Sequence, residues 1–328
     1  MKAILYNHYG AADVLYAGEV NKPVPQNNEI LIKVHFSTVT TGDVNIRGFV
    51  FVPKGFKFIA RLMFGYNKPK KQILGVEFSG IVEAAGGSVK HFKPGDKVFG
   101  IDGSGMGAYA DYKCFNEDSA VLIIPQNLSL EEAAAIPFGG LTAYFFLKEK
   151  ADIKPGQKAL IIGASGGVGT AAIQVAKYYG AEVTGVCSTG NLDLVRSIGA
   201  DKTIDYTRED YGKSSTTYDI ILDTTGTVTY PGVKNILSKN GKLLLVAAGL
   251  PQFLLMFRSS LFGGPKVIAG GGASNEKKEY LEALKKMAEE GKYKPVIDKQ
   301  FDFDKTADAH AYVDTGRKRG NVVIRINI

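Results

Sequence analysis

Cysteine is nearly missing from this sequence: 328 residues carry only Cys114 and Cys187. Two cysteines cannot build a disulfide framework, and no C-x-x-C pair offers a redox or zinc motif, so a reducing, cytoplasmic setting is expected. Long apolar runs are missing too. The most apolar later stretch, GLPQFLLMF (Gly249 to Phe257), falls well short of the roughly 20 residues that span a bilayer. The N-terminal MKAILYNHYG has too short an apolar stretch for a secretory signal and reads as a strand. No internal repeat, low-complexity linker or long polar tract interrupts the chain. With 45% hydrophobic and 22% charged residues, it is expected to fold into about two globular domains.

The net charge of +7 makes acidic small molecules, membrane surfaces and nucleic acid easier partners. The basic residues are scattered, however, apart from KPKK (Lys68 to Lys71) and GRKRG (Gly316 to Gly320), which read as solvated loops. No arginine-rich groove with interleaved stacking aromatics is present, so nucleic acid is not an expected partner.

Strand-like runs dominate the first 120 or so residues, among them EILIKVHFSTV (Glu29 to Val39), FSGIVEAAG (Phe78 to Gly86) and DKVFG (Asp96 to Gly100). Turn signals separate them, which predicts a mostly β module, a partly open barrel. Ser129 followed by Glu132 has capping-box spacing at a helix start. From Lys158 onward, the apolar runs KALIIG, EVTGVC, KTIDY, YDIILDT, GKLLLVAAG and KVIAGGG alternate with helix-length segments, which predicts a doubly wound parallel sheet of six strands. In SNEKKEYLEALKKMAEEGKY, Tyr280, Leu281, Leu284, Met287 and Ala288 recur at helical spacing and read as a core-facing stripe. The final NVVIRINI reads as a strand returning to the first module.

The loop GASGGVG (Gly163 to Gly169) follows the first of the six strands and opens a helix. In that context glycines let the backbone approach a pyrophosphate, and the helix N-terminus offers unpaired N–H groups to the anion. The strict G-x-G-x-x-G pattern is broken by Ala164, and a tight turn with no ligand would also suit a glycine cluster. The next strand ends in VCSTGN, with no carboxylate before Asp193 to bond a free ribose hydroxyl. Ser188, Thr189 and Asn191 can donate to a 2′-phosphate, with Arg196 and Lys202 as added charge, so NADPH is the expected cofactor. The same residues also suit a turn and helix cap.

With these motifs in place, the chain resembles the medium-chain dehydrogenase/reductase superfamily, in its zinc-independent quinone-reductase branch. LGVEFSGIVEAAG, FKPGDKVFG, AAAIPFGGLTAYFFL, GASGGVGTAAIQVAKYYGA and SIGADKTIDY carry the resemblance over essentially the whole length. It implies a GroES-like domain (1–124), a Rossmann domain (125–271) and a C-terminal segment (272–328) that completes the first domain, with the active site in the cleft between them. The cofactor contacts it implies are Thr142 at the nicotinamide end, Ser165, Gly166, Gly167 and Val168 in the loop, Ser188, Thr189 and Asn191, and then Tyr206, Ala247 and Gly249. Thr40 and Asp43 would form a polar floor for catalysis, and Asp43 with Arg47 would make a structural ion pair.

Zinc dehydrogenases of the superfamily carry Cys, His and Cys around their metal. Thr40, Val76 and Phe138 stand at the corresponding positions and cannot hold Zn²⁺, so no metal is expected. His8, His35, His91 and His310 are dispersed and suit packing or surface roles. Without a Lewis acid, hydride transfer to a quinone or an α,β-unsaturated carbonyl is the favoured reaction. A zinc-free reductase of simple ketones, or a non-enzymatic NADPH-binding protein with RNA or membrane association, are the alternatives.

The chain also departs from the branch. Thr40 replaces an Asn, RGFVF stands where the branch carries a Tyr shortly after RxG, Gly190 replaces an arginine and Asn321 a lysine. Solvent, Thr40 or Tyr109 are the candidate proton donors. A homodimer is expected through PQFLLMFRSSLFGG or the edge of the last Rossmann strand. The aromatic and basic stretch from Phe49 to Lys71 reads either as a substrate cover, membrane or subunit contact, or as a helix packing its own apolar face.

Overall fold

The structure, a computed structural model, describes all residues except 51, 53–56, 67, 263–265, 271–275 and 328, and the backbone alone at 57, 59, 63 and 260–262. The chain forms two compact units. The first comprises Met1–Phe138, Glu276–Glu289 and Lys294–Ile328, and the second Gly139–Asn275 and Glu290–Tyr293.

Along the chain the first unit contains β1 (Lys2–Leu5), β2 (Tyr16–Glu19), β3 (Glu29–Thr38), α1 (Thr41–Gly48), α2 (Lys57–Phe64), β4 (Glu77–Ala85), β5 (Lys97–Ile101), β6 (Tyr112–Asn116), β7 (Val121–Ile123) and α3 (Leu130–Ala134). Then come α4 (Pro137–Tyr144), β8 (Lys158–Ile162), α5 (Gly167–Tyr178), β9 (Glu182–Cys187), α6 (Leu192–Ser197), β10 (Lys202–Asp205), β11 (Tyr218–Asp223), α7 (Tyr230–Val233), β12 (Leu237–Leu245), α8 (Leu250–Phe262) and β13 (Lys266–Ala269). The chain ends with α9 (Lys278–Glu289), β14 (Ile297–Asp302), α10 (Thr306–Asp314) and β15 (Asn321–Arg325).

In the first unit β3 is the spine of the sheet. It pairs antiparallel with β4 along most of its length, with β6 through Glu29–Lys33, and with β15 through Phe36–Thr38. The last strand of the sequence therefore does return to the first module, and β14 joins it in parallel. The stripe expected on α9 is buried at all five positions, Tyr280, Leu281, Leu284, Met287 and Ala288. The first unit runs to Phe138 rather than to 124, because side chains of β4 hold the segment after β7. Ser79 Oγ donates to the Leu130 carbonyl at 2.6 Å, and the Glu77 carboxylate accepts from the Phe138 N–H at 2.6 Å. The expected capping box of α3 is formed by Ser129 and Glu132.

The aromatic and basic segment splits between its two readings. Tyr9 and Phe49 pack in a tilted arrangement with ring centroids 4.7 Å apart, Arg61 of α2 lies over both rings, and the Tyr9 hydroxyl donates to the Phe64 carbonyl at 2.9 Å. One side of α2 thus packs on its own unit, while Phe58 and Leu62 stay exposed.

In the second unit the six expected runs form one parallel sheet in the order β10-β9-β8-β11-β12-β13. The central strand β8 is a continuous apolar run because helices cover both faces of a parallel sheet: Ala159 to Ile162 are all buried. The strand order reverses between β8 and β11, and ligands of open α/β sheets bind beyond the carboxyl ends at that point.

Candidate functional site

The turn after β8 is built for a close approach. Gly163 has φ 78°, and a Cβ on it would stand 2.4 Å from Thr224 Oγ1. A Cβ on Gly169 would lie 2.1 Å from the Gly163 carbonyl oxygen, so α5 packs onto the loop only because glycine is there. Gly166 is the N-cap of α5 and provides no side-chain cap, which leaves the first-turn N–H groups and the positive pole of a 12-residue helix for an anion. The nearest atom to a Cβ on Gly166 would be the Gly163 oxygen at 3.5 Å, an ordinary contact that leaves room beside the loop.

Around this pole the structure gathers most of the expected cofactor residues. Asn191 Nδ2 donates to Ser165 Oγ at 3.1 Å and to Ser188 Oγ at 3.2 Å, which joins the glycine loop to the end of β9. Gly167 and Val168 are the first two residues of α5. Tyr206, 58% exposed, borders a cavity of about 650 Å³ lined also by Gly163, Val186, Arg208 and Tyr211, at the carboxyl ends of β8 to β10. Thr142 is buried on α4, and a Cβ on Gly139 of that helix would meet the Gly167 carbonyl at 2.7 Å, so α4 approaches the loop closely. Ala247 is exposed after β12, across from Gly226. Gly249 donates its N–H to Gln252 Oε1 at 3.0 Å, where α8 begins.

Three of the expected residues have partners of their own. The Thr189 hydroxyl donates to the Asp205 carboxylate and meets Thr207 Oγ1 at 3.2 Å, so it is already committed. Lys202 begins β10, at the opposite end of the sheet, and pairs with Glu182 at 2.8 Å. Arg196 pairs with Asp193 at 3.1 Å. Tyr206 at the end of β10 is among the expected residues, but Asp205 and Arg208 on either side of it are not, and only the pairing of β10 with β9 brings them beside Thr189. Parallel pairing sets Asp205 beside Cys187, and its carboxyl is held below the usual range, chiefly by the Thr189 hydroxyl. Arg208 Nε lies 3.6 Å from Asp205 Oδ2.

The expected catalytic pair of the first unit is closed on itself. Thr40 and Asp43 are 3% and 0% exposed. Asp43 Oδ2 accepts from the Thr40 N–H at 2.9 Å and the Thr40 hydroxyl at 2.6 Å, and Oδ1 accepts from the Gly75 N–H at 3.0 Å. The two residues form a capping box that starts α1 and ties it to the Gly75 turn, not an open polar floor. Burial raises the Asp43 carboxyl to about 6 despite these donors. Glu77, also fully buried, accepts from the Thr38 hydroxyl and the Phe138 N–H, and burial raises it to about 7.

The expected Asp43–Arg47 ion pair is not formed. Arg47 Nη2 binds Asp314 at 2.7 Å, its Nε donates to the Gly10 carbonyl at 3.1 Å, and its Nη1 meets His310 Nδ1 at 3.2 Å. A guanidinium only donates, so His310 Nδ1 accepts and Nε2 carries the proton, directed to the Tyr109 hydroxyl at 3.2 Å. Burial first, then the Arg47 charge, lowers His310 to about 3, which keeps it neutral. Tyr109 is fully buried, donates to the Thr38 carbonyl at 2.9 Å and is raised well above its ordinary value by burial. It is therefore not the proton donor that the sequence allowed.

The positions that correspond to zinc ligands offer no donor set. Thr40 turns to Asp43, Val76 is buried, and the Phe138 ring lies against Gly42. Among the described residues no three His, Cys, Asp or Glu side chains gather as metal ligands.

Residues 26–151 match the family model of the alcohol dehydrogenase GroES-like domain, and residues 198–324 match one described as zinc-binding dehydrogenase. The chain is 36% identical to 2-methylene-furan-3-one reductase of Solanum lycopersicum, over 99% of this chain and 79% of that protein. It is 32% identical to the chloroplastic NADPH-dependent alkenal/one oxidoreductase of Arabidopsis thaliana, with the same coverage of 99% and 79%. The solved structure of the quinone oxidoreductase from Coxiella burnetii matches with a TM-score of 0.87 at 29% identity, over 100% of this chain and 99% of that one. The chain belongs to the medium-chain dehydrogenase/reductase superfamily, in its quinone oxidoreductase-like branch.

Proposed function

We propose that this protein is an NADPH-dependent oxidoreductase that reduces quinones or α,β-unsaturated carbonyls without zinc. The observation that carries this reading is the uncapped N-terminus of α5 beside the linked group of Ser165, Ser188 and Asn191. Open space at Gly166 and the cavity beside Tyr206 fit a dinucleotide. The names of relatives support the acceptor class: an alkenal/one oxidoreductase and a 2-methylene-furan-3-one reductase act on conjugated carbonyls.

When bound, NADPH supplies the hydride. The chain's own residues bind and orient: the loop Ser165–Val168 receives the anionic bridge, Ser188, positioned by the Asn191 amide, donates at the ribose end, and Thr142 on α4 positions the nicotinamide end. Thr40 and Asp43 act by fixing α1 and the Gly75 turn. With their hydroxyl and carboxylate engaged, and Tyr109 buried, the proton that completes reduction comes from solvent. The absence of a donor set for zinc favours acceptors that spread the new charge by conjugation over simple ketones.

A homodimer is part of this reading. It would be formed through Leu254 and Phe257, exposed on α8, or through β13 at the edge of its sheet. The scarcity of cysteine supports a cytoplasmic location, and no described helix is long and apolar enough to cross a membrane.

NADPH oxidation with a panel of quinones, enones and saturated ketones tests the reading. Turnover of the conjugated acceptors, unchanged by a chelator, is expected. Turnover of saturated ketones alone, or activity lost with one equivalent of zinc, would overturn it. NADPH binding with no acceptor turned over would point to a non-enzymatic role.

A further inference from the structure

The carboxyl end of β10 carries an acid and a base that no sequence motif announced. Asp205 is 6% exposed, and donors crowd its carboxylate. Oδ2 accepts from the Thr189 hydroxyl, while Oδ1 accepts from the Thr207 N–H at 3.0 Å and the Thr207 hydroxyl at 2.6 Å. Arg208 is held far more loosely. Its Nε is 3.6 Å from Asp205 Oδ2, and its side chain is 75% exposed at the wall of the cavity. Among the residues that line this cavity, Arg208 carries the positive charge, beside the carboxylates of Glu209 and Asp210, which oppose an anion. Arg196 and Lys202, the cations expected from sequence, are paired with Asp193 and Glu182.

Arg208 is itself exposed and 3.6 Å from Asp205, and the buried carboxylate keeps its Thr189 and Thr207 donors without it, so the guanidinium can change partners at small cost. A phosphate monoester is close to doubly anionic at neutral pH and matches the guanidinium fork, which a ribose hydroxyl does not. We propose that Arg208 and Asp205 together set the choice between NADPH and NADH: Arg208 exchanges Asp205 for the 2′-phosphate, and Asp205 opposes that phosphate and limits the preference. This rests on the dinucleotide reading above and adds two residues to it, one favouring the phosphate and one resisting it. The Thr189 and Thr207 donors keep Asp205 in place when Arg208 leaves.

Calorimetric titration of the whole protein with 2′,5′-ADP and with 5′-AMP tests the pair without any turnover. The parent is expected to bind 2′,5′-ADP more tightly. Arg208→Gln should weaken 2′,5′-ADP by about tenfold or more and flatten its salt dependence, since a charged hydrogen bond is lost. The same variant should leave 5′-AMP within roughly twofold, and Arg208→Lys should recover part of the loss. Asp205→Asn should strengthen 2′,5′-ADP several-fold. If Arg208→Gln leaves the ratio of the two affinities unchanged while the parent still binds NADPH, the assignment of Arg208 is wrong and the dinucleotide site stands. If the parent binds neither fragment nor NADPH, both readings fall together.

Discussion

The side-chain amide of Asn191 donates to the Ser165 hydroxyl at 3.1 Å, which pins the glycine loop after β8 to the turn after β9. The same nitrogen reaches Ser188 Oγ at 3.2 Å, so one amide positions two of the hydroxyls assigned to the cofactor. Asn191→Ala should free both. Each neutral hydrogen bond contributes about 0.5–1.5 kcal/mol, so the NADPH Kd should rise about five- to tenfold. The group is half-buried at a surface turn, so Tm should barely move. A fluorescence titration beside a thermal melt checks this, and an unchanged Kd would remove Asn191 from the site.

Two glycines of one loop should behave differently. A side chain on Gly169 drives a Cβ to within 2.1 Å of the Gly163 oxygen and 2.8 Å of the Ala164 backbone, so Gly169→Val should unfold the second unit or greatly lower its Tm. A Cβ on Gly166 meets its nearest atom at 3.5 Å. Gly166→Val should therefore keep a near-parent Tm and lose NADPH binding, because its side chain fills the space kept for the anion. Circular dichroism melts with cofactor titration separate the two, and retained binding by Gly166→Val would mean the loop holds no pyrophosphate.

Much of this fold was legible because its signals are local. The parallel strands each carry a short apolar run, continuous in the central β8, and the stripe on α9 keeps helical spacing. The capping box at Ser129 is a three-residue pattern. What escaped depends on neighbours distant in sequence. Thr189 looked free in VCSTGN, yet its hydroxyl goes to Asp205, 16 residues on, across a strand pair. Arg47 sits four residues after Asp43 at ion-pair spacing, but partners from α10, 263 and 267 residues away, take its guanidinium. The end of the first unit was set early because β7 closes the strand-rich run, whereas Glu77 and Ser79 hold the chain to Phe138.

Cofactor preference should respond to the turn after β9. Gly190 has no neighbour within 4 Å of a built Cβ, and its φ is not left-handed, so an arginine fits there without strain. Gly190→Arg should raise the ratio of kcat/KM for NADPH over NADH by about tenfold. Ser188→Asp should reverse the preference by repelling the phosphate and accepting from the free ribose hydroxyl. A ratio untouched by Ser188→Asp would place the ribose elsewhere.

Glu77 and Asp43 predict how stability depends on pH. Burial holds the Glu77 carboxyl near 7 against an ordinary 4.5, so the folded chain keeps a proton that the unfolded chain has lost between those values. The folded state binds more protons there, and stability must fall as pH rises from about 4.5 to 7. The Glu77 contribution is on the order of 3 kcal/mol over that window, and Asp43, raised to about 6, adds to it at lower pH. Glu77→Gln keeps an acceptor for the Phe138 N–H, and the Thr38 hydroxyl can reverse to accept from the new amide. The variant should fold and show a flatter fall in Tm from pH 5 to 8. An equal slope in parent and variant would show that Glu77 ionises normally in the folded state.

Tyr109 separates a structural hydroxyl from a catalytic one. Its O–H donates to the Thr38 carbonyl and its oxygen faces the protonated Nε2 of His310, with every member of the group buried. Tyr109→Phe keeps the ring and its edge contact with His310, whose centroid is 5.6 Å away, but leaves a buried donor and a buried acceptor without partners. Such groups cost about 1–3 kcal/mol each, so urea unfolding should register a clear loss of stability and a lower Tm. Turnover should change little, because a hydroxyl that is fully buried and already donating cannot protonate an acceptor. The decisive comparison is kcat and its solvent isotope effect at a temperature where both proteins are folded. If kcat collapses in Tyr109→Phe while stability is unchanged, the hydroxyl reaches the acceptor after all, and solvent is not the proton source.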